Sequence, residues 1–112
     1  MLKKIECYIQ PYTLEPLTHA LVEMGVEGMS VTEVRGFGRQ HGFTTSQVKG
    51  QVKFLPKLKL EIVVTDGTVD RAVALIVKMA RTGTVGAGKI FVLPVENAVR
   101  IGSGETGDTA VV

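Results

Sequence analysis

The chain has no tryptophan, one cysteine, and only four Phe and two Tyr among 112 residues. A protein that grips single-stranded nucleic acid stacks bases on aromatic platforms and carries a marked basic excess. Here the platform is missing and the formal net charge is only +2, so no nucleic-acid partner is expected. The lone Cys7 excludes an internal disulfide, which suits a reducing cytosol. The start, MLKKIECYIQ, is basic and strand-like and holds no long apolar run. That predicts neither a signal peptide nor membrane insertion, and a cytoplasmic protein. With one Cys and two histidines, His19 and His41, no metal cluster of convincing spacing can be assembled. No Ser-His-Asp set or paired-carboxylate signature is present, and the chain is not expected to be an enzyme.

One further absence is local. From Val34 to Leu60 there is no Asp or Glu, while Arg35, Arg39, Lys49, Lys53, Lys57 and Lys59 all fall in that stretch. A near-neutral total therefore hides an electropositive segment. By itself such a run reads as a solvated basic loop.

What is present is a single small domain, residues 1–112 by the length prior, with 45% hydrophobic residues and a mean hydropathy of +0.23 despite 21% charge. That is apolar for a monomer of this size and points to surface given over to a subunit contact. Alternation places a strand at Lys4 to Gln10, with Ile5, Cys7 and Ile9 on one side; Cys7 is then a small core residue. Thr13 can cap a helix that tolerates Pro16 in its first turn, buries Leu17, Ala20, Leu21 and Met24, and stops at Gly25. MSVTEVRGFG is a second strand, ended by Gly36 and Gly38. After an aperiodic stretch from Arg39 to about Lys53, KLKLEIVV alternates strictly, Leu58, Leu60, Ile62 and Val64 against Lys59, Glu61 and Val63. Asp66 or Thr68 opens a second helix with Val69, Ala72, Val73, Ile76 and Ala80 at helical spacing. KIFVLPV, Lys89 to Val95, is the fourth strand. The Gly-rich end, 102–112, reads as a loose tail.

The order βαβ, long loop, βαβ predicts an α+β, ferredoxin-like βαββαβ fold: a four-stranded antiparallel sheet with both helices on one face. In the last strand Ile90, Phe91, Val92 and Leu93 are apolar on both faces. The side away from the helices then needs a cover, and a closed ring of subunits would supply it.

TGTVGAGKI, Thr82 to Ile90, spells the G-x-x-x-x-G-K of a P-loop, but Ile90 stands where Ser or Thr would hold magnesium. A P-loop also runs from strand into helix, and this order is reversed. The plain reading is a helix cap at Gly83 and a tight turn into a strand. Gly86 and Gly88 exceed what a cap needs, however, and Lys89 follows at once. With RGFGRQHG, the chain has two Gly-rich basic segments. Backbone amides approaching closely at glycine, beside cationic side chains, suit an anion such as a polyphosphate.

GMSVTEVRGFGRQHG, FLPKLKLEIVV and ARTGTVGAGKIFVLPVENAVRIGSGE resemble the PII signal-transduction proteins, in order and at nearly the same spacing, across almost the whole chain from KKIECYIQP onward. The resemblance implies a homotrimer binding ATP or ADP at subunit clefts, with AMP a further candidate, and a long loop about 38–55 that acts on a target transporter or enzyme. Magnesium and 2-oxoglutarate join ATP in many members. Position by position it implies that Ser30 and Val63 hold the adenine, with Glu61 and Ile62 lining that side. Gly38 and Arg39 approach the distal phosphates. Gly86, Ala87, Gly88 and Lys89 form the phosphate loop, and Arg100 reaches in from the end of the fold. Gln40 meets magnesium and 2-oxoglutarate, and Lys57 pairs with the 2-oxoglutarate carboxylate.

Several positions depart from the family pattern. Ser30 replaces a usual Thr, Gly102 a second arginine, Thr84 a Lys and Ala87 an Asp. The long loop is about two residues shorter than the common form and has no tyrosine, so tyrosine uridylylation there is excluded by composition; Thr44, Thr45 and Ser46 are ordinary loop residues. These departures suggest a divergent member with an altered long loop. The alternative function is a sensor of inorganic carbon, taking bicarbonate with ADP or AMP in place of 2-oxoglutarate.

Overall fold

The computed structural model describes residues 1–37, 53–81 and 88–112. Four strands form one antiparallel sheet in the order β2-β3-β1-β4: β1 (Leu2–Ile9), β2 (Ser30–Gly36), β3 (Leu55–Thr65) and β4 (Gly88–Val95). Helices α1 (Leu14–Met24) and α2 (Asp66–Ala80) connect β1 to β2 and β3 to β4. This is the ferredoxin-like arrangement that the element order predicts.

Register explains the core. Ile5 lies opposite Ile62, Cys7 opposite Leu60, and Ile9 opposite Leu58. Directly opposed residues of an antiparallel pair share a face, so these six make one apolar surface. Leu17 and Leu21 of α1 and Ala72 and Ile76 of α2 pack on it in a single cluster. The sequence expectation for α1 also included Ala20 and Met24; these are only partly buried. Burial pushes the Cys7 thiol up to about 11 from 9.0, outweighing a backbone hydrogen bond with Leu60 that lowers it.

The helix ends show where local chemistry wins and where it does not. Gly25 takes φ 108°, and the N–H groups of Gly25 and Val26 return to the carbonyls of Val22 and Leu21, each at 3.0 Å. That satisfies carbonyls that α1 would otherwise leave open. Thr13 stands at the start of α1 but makes no capping bond; it is buried after a short 3₁₀ turn, Pro11–Thr13. At the end of α2 the Arg81 N–H donates to the Val77 carbonyl at 3.0 Å, and Arg81 is already extended. Gly83, the expected cap, lies outside the described residues.

The strands are longer than the pattern indicated at their starts, β1 from Leu2 and β3 from Leu55. The tail, residues 102–112, is tied by backbone contacts. Val99 bridges Thr106, the Arg100 N–H donates to the Glu105 carbonyl at 2.8 Å, and the Gly107 N–H donates to the Ala98 carbonyl at 3.0 Å. A 3₁₀ turn follows at Gly107–Ala110. Gly104 and Gly107 have φ of 77° and 68°, so the glycines that suggested slack instead permit the tight reversal.

Gly88 opens β4 at φ 118°, opposite Ile9. A Cβ at that position would overlap the Tyr8 carbonyl oxygen. Gly88→Ala should therefore cost about 3 kcal/mol in urea unfolding, as overpacking against backbone adds to a left-handed dihedral. Gly102→Ala, with open space around it, should stay within about 0.5 kcal/mol; equal midpoints for the two variants would contradict this account of β4. The Cys7 thiol makes a pH prediction. Its folded value is raised, so its stabilising effect is complete below the unfolded pKa near 9 and is lost as pH rises through about 11. Between pH 8.5 and 11, unfolding measurements should show the wild type losing roughly 2 kcal/mol more than Cys7→Ala; parallel curves would show that this thiol titrates normally.

Candidate functional site

The alternation that buries Leu58, Leu60 and Ile62 against the helices sends Lys57, Lys59, Glu61 and Val63 to the other face of the sheet. Ser30 is opposite Glu61 and Thr32 opposite Lys59. At the end of that face, where β2 begins and the C-terminal turn folds back, lies a cavity of about 410 Å³. It is lined by Ser30, Glu61, Val63 and Arg100, together with Glu27, Gly28 and Met29 and the last three residues, Ala110, Val111 and Val112. Four residues singled out from the sequence thus meet in one place, although Arg100 lies far from the others in the chain.

Ile62 does not join them through its side chain. It is 1% exposed and faces the helices, because a strand residue between Glu61 and Val63 must point to the opposite face. Lys57 shares the face of Glu61 but lies four residues along β3, toward the long loop, and does not line the cavity. Burial pushes its ammonium below the usual lysine value. Gly38, Arg39, Gln40, Gly86 and Ala87 lie outside the described residues.

Gly88 and Lys89 are elsewhere. They line a second, more apolar hollow of about 370 Å³ with Arg81, Ile76 and Ala80. Lys89 is opposite Tyr8 on β1, and β1 and β3 both separate β4 from β2. At the usual strand spacing, Ser30 and Lys89 are roughly 14 Å apart across the sheet. The two halves of the site implied by the sequence occupy opposite edges.

The electrostatics of the first cavity follow from two cations. Lys4 Nζ lies 2.5 Å from a Glu61 carboxylate oxygen and 3.0 Å from one of Glu6. Glu61 foremost, then Glu6, holds the Lys4 ammonium above its ordinary value, and Lys4 holds the Glu61 carboxyl below its own. A carboxylate on the cavity wall is thereby neutralised by the chain's own lysine. Arg100 donates from Nη2 to the Val112 carbonyl oxygen at 2.9 Å, and its Nε lies 3.6 Å from Glu105 Oε1. Val63 and Met29 offer an apolar wall and Arg100 a fork of donors, a combination that suits a flat heteroaromatic group bearing an anion. Among the described residues no group of three or more His, Cys, Asp or Glu could hold a metal ion, and no helix there is long and apolar enough to cross a membrane.

The sequence reading missed Glu27, Gly28 and Met29, although GMS stood in a quoted motif; a loop before a strand carries no periodic signal. It also missed the tail, whose glycine content argued for slack.

Comparison with known proteins agrees with the fold. Residues 2–105 match the family described as Nitrogen regulatory protein P-II. The chain is 51% identical over 113 residues to the Nitrogen regulatory protein P-II of Cereibacter sphaeroides, covering 98% of this chain and all of that one. It is 49% identical over 112 residues to the protein of the same name from Klebsiella oxytoca, with the same coverage. Among solved structures it is similar to Arabidopsis thaliana PII bound to citrate, at 38% identity and a TM-score of 0.81, covering 97% of this chain and 91% of that one. Full-length identities of this order carry no sign of the divergence or altered loop that the departures suggested. With a match from residue 2 to 105 and half its positions shared with a curated P-II protein, this chain belongs to the P-II family of non-catalytic signal-transduction regulators.

Proposed function

We propose that the chain binds an adenine nucleotide, ATP or ADP with AMP as a third candidate, at clefts between copies in a homotrimer. Nucleotide state then sets the long loop, about 38–55, that acts on a target transporter or enzyme in carbon and nitrogen sensing. One observation carries the proposal: Ser30, Glu61, Val63 and Arg100 share a cavity at one edge of the sheet, while Gly88 and Lys89 start the strand at the other edge. In one copy the two sets lie roughly 14 Å apart across the sheet, a separation that supports a site shared between neighbouring copies.

The sheet face away from the helices supports the assembly. Phe91 and Leu93 of β4 are 49% and 38% exposed there, and Tyr8 meets Phe91 edge-on with centroids 6.2 Å apart. Large apolar side chains on an uncovered face are what a subunit contact removes from water.

Adenine would stack on Val63 beside Ser30, with Arg100, Lys89 and Arg39 on the phosphates and Gly86, Ala87 and Gly88 supplying amides. The Glu61 and Ile62 backbone would form the cleft wall. Charge-assisted hydrogen bonds of about 1.5–3 kcal/mol each mean that several are required for micromolar affinity, about 8 kcal/mol. Gln40 would meet magnesium and 2-oxoglutarate, and Lys57 the 2-oxoglutarate carboxylate. Because Gly102 offers no second arginine and Thr84 no lysine, the phosphates farthest from adenosine gain little extra. The short loop without tyrosine would respond to the ligand without uridylylation. Cytosolic action is consistent with the lone thiol.

Isothermal titration with AMP, ADP and ATP, each with and without 2-oxoglutarate or bicarbonate, tests the reading. ADP and ATP should bind within about tenfold of each other, and Arg100→Ala should weaken ADP by about tenfold. A strong preference for ATP would overturn the discrimination argument, and no binding of any nucleotide would overturn the site. An effect of bicarbonate but not 2-oxoglutarate would place the chain in inorganic-carbon sensing. In light scattering the wild type should have three times the mass of one chain, and Leu93→Asp should lower it; a monomeric wild type would refute the assembly.

A further inference from the structure

The cavity that holds Ser30, Glu61, Val63 and Arg100 has a wall of the chain's own tail. Val111 and Val112 line it, and Arg100, whose guanidinium would grip an anion there, donates to the Val112 carbonyl at 2.9 Å and has Glu105 at 3.6 Å. The tail is held in place from its own side as well. The Arg100 N–H donates to the Glu105 carbonyl, the Gly107 N–H to the Ala98 carbonyl, and the Val111 N–H to the Asp108 carbonyl at 3.2 Å. We infer that residues 110–112 are an internal strap that competes with an anionic ligand for Arg100, so that Arg100 is engaged by the tail until ligand displaces it.

The physical argument is one of shared donors. A guanidinium presents five N–H groups in a rigid planar fork, and its direction is set by the partner it serves. Here that partner is a main-chain carbonyl of the tail, with a carboxylate beside it. A phosphate that takes the Nη2 donor must break the bond to Val112, and it lies close to the Glu105 carboxylate, which repels it. The strap is weak enough to move: both partners of the hydrogen bond are exposed, so it is worth little against water. Its closed form depends on Gly104 and Gly107 in left-handed conformations, which hold the reversal that carries Val111 and Val112 back over Arg100. Ligand binding and strap closure are then linked: each lowers the population of the other by the same factor.

The inference rests on the proposed nucleotide reading of this cavity, and the test separates the two. ADP binding to the full chain is compared by calorimetry with binding to a chain lacking Val111 and Val112, which leaves Arg100 untouched. The shortened chain should bind about fivefold more tightly, the effect expected of one exposed charge-assisted hydrogen bond. In the full chain, the amide resonances of Val111 and Val112 should shift on ADP addition with the same midpoint as the heat. Without any ligand, Arg100→Ala should move the same two resonances toward random-coil values. If both chains bind ADP equally, or if the tail resonances ignore both ADP and Arg100→Ala, there is no competing strap. If neither chain binds ADP, the nucleotide reading falls and the competition falls with it.

Discussion

Everything in this molecule depends on the register between β1 and β3. Ile5 against Ile62, Cys7 against Leu60 and Ile9 against Leu58 put six apolar side chains on one side, and both helices are spent covering them. A slip of one residue would exchange every one of these with Lys, Glu and Tyr. Since both helices lie on that side, the opposite surface is left with Lys4, Glu6, Tyr8, Glu61 and Val63. The cavity, the paired charges around Lys4 and the bare aromatic edge all follow from that single choice of face.

Much of this could be read from the residues. Strict alternation in β3 and β1, and helical spacing in α2, correctly separated core from open face, since period alone decides which way a strand residue points. Periodic signals say nothing about what happens where the chain reverses. Thr13 has the chemistry of a cap yet is buried, because it ends a short 3₁₀ turn that aims its side chain inward. The glycines at 104 and 107 read as slack because composition cannot distinguish a glycine that loosens a chain from one that adopts a left-handed angle within a hydrogen-bonded turn.

The candidate site was legible only as a family likeness. Nothing in the spacing of Ser30, Val63 and Arg100 foretells that they share a cavity; strand order and the returning tail bring them together. Ile62 shows the opposite limit. Likeness assigned it to the cleft along with its neighbours, but the pleat sends its side chain into the core, so any role there belongs to its backbone. Gly88 shows how two demands can fall on one residue: backbone packing against Tyr8 already requires glycine, whatever the amide binds.

The position of β1 at the middle of the sheet has a consequence for how the molecule comes to exist. The first strand made has no neighbour close in sequence: Leu2 pairs with Thr65 on one side and Val95 on the other. On the ribosome it has no strand partner until β3, ending at Thr65, has emerged, and its second edge stays open until β4, ending at Val95, follows. Assembly is thus dominated by distant pairings, which are slow to nucleate, and the interval before the final strand arrives is when this chain is most exposed to wrong partners.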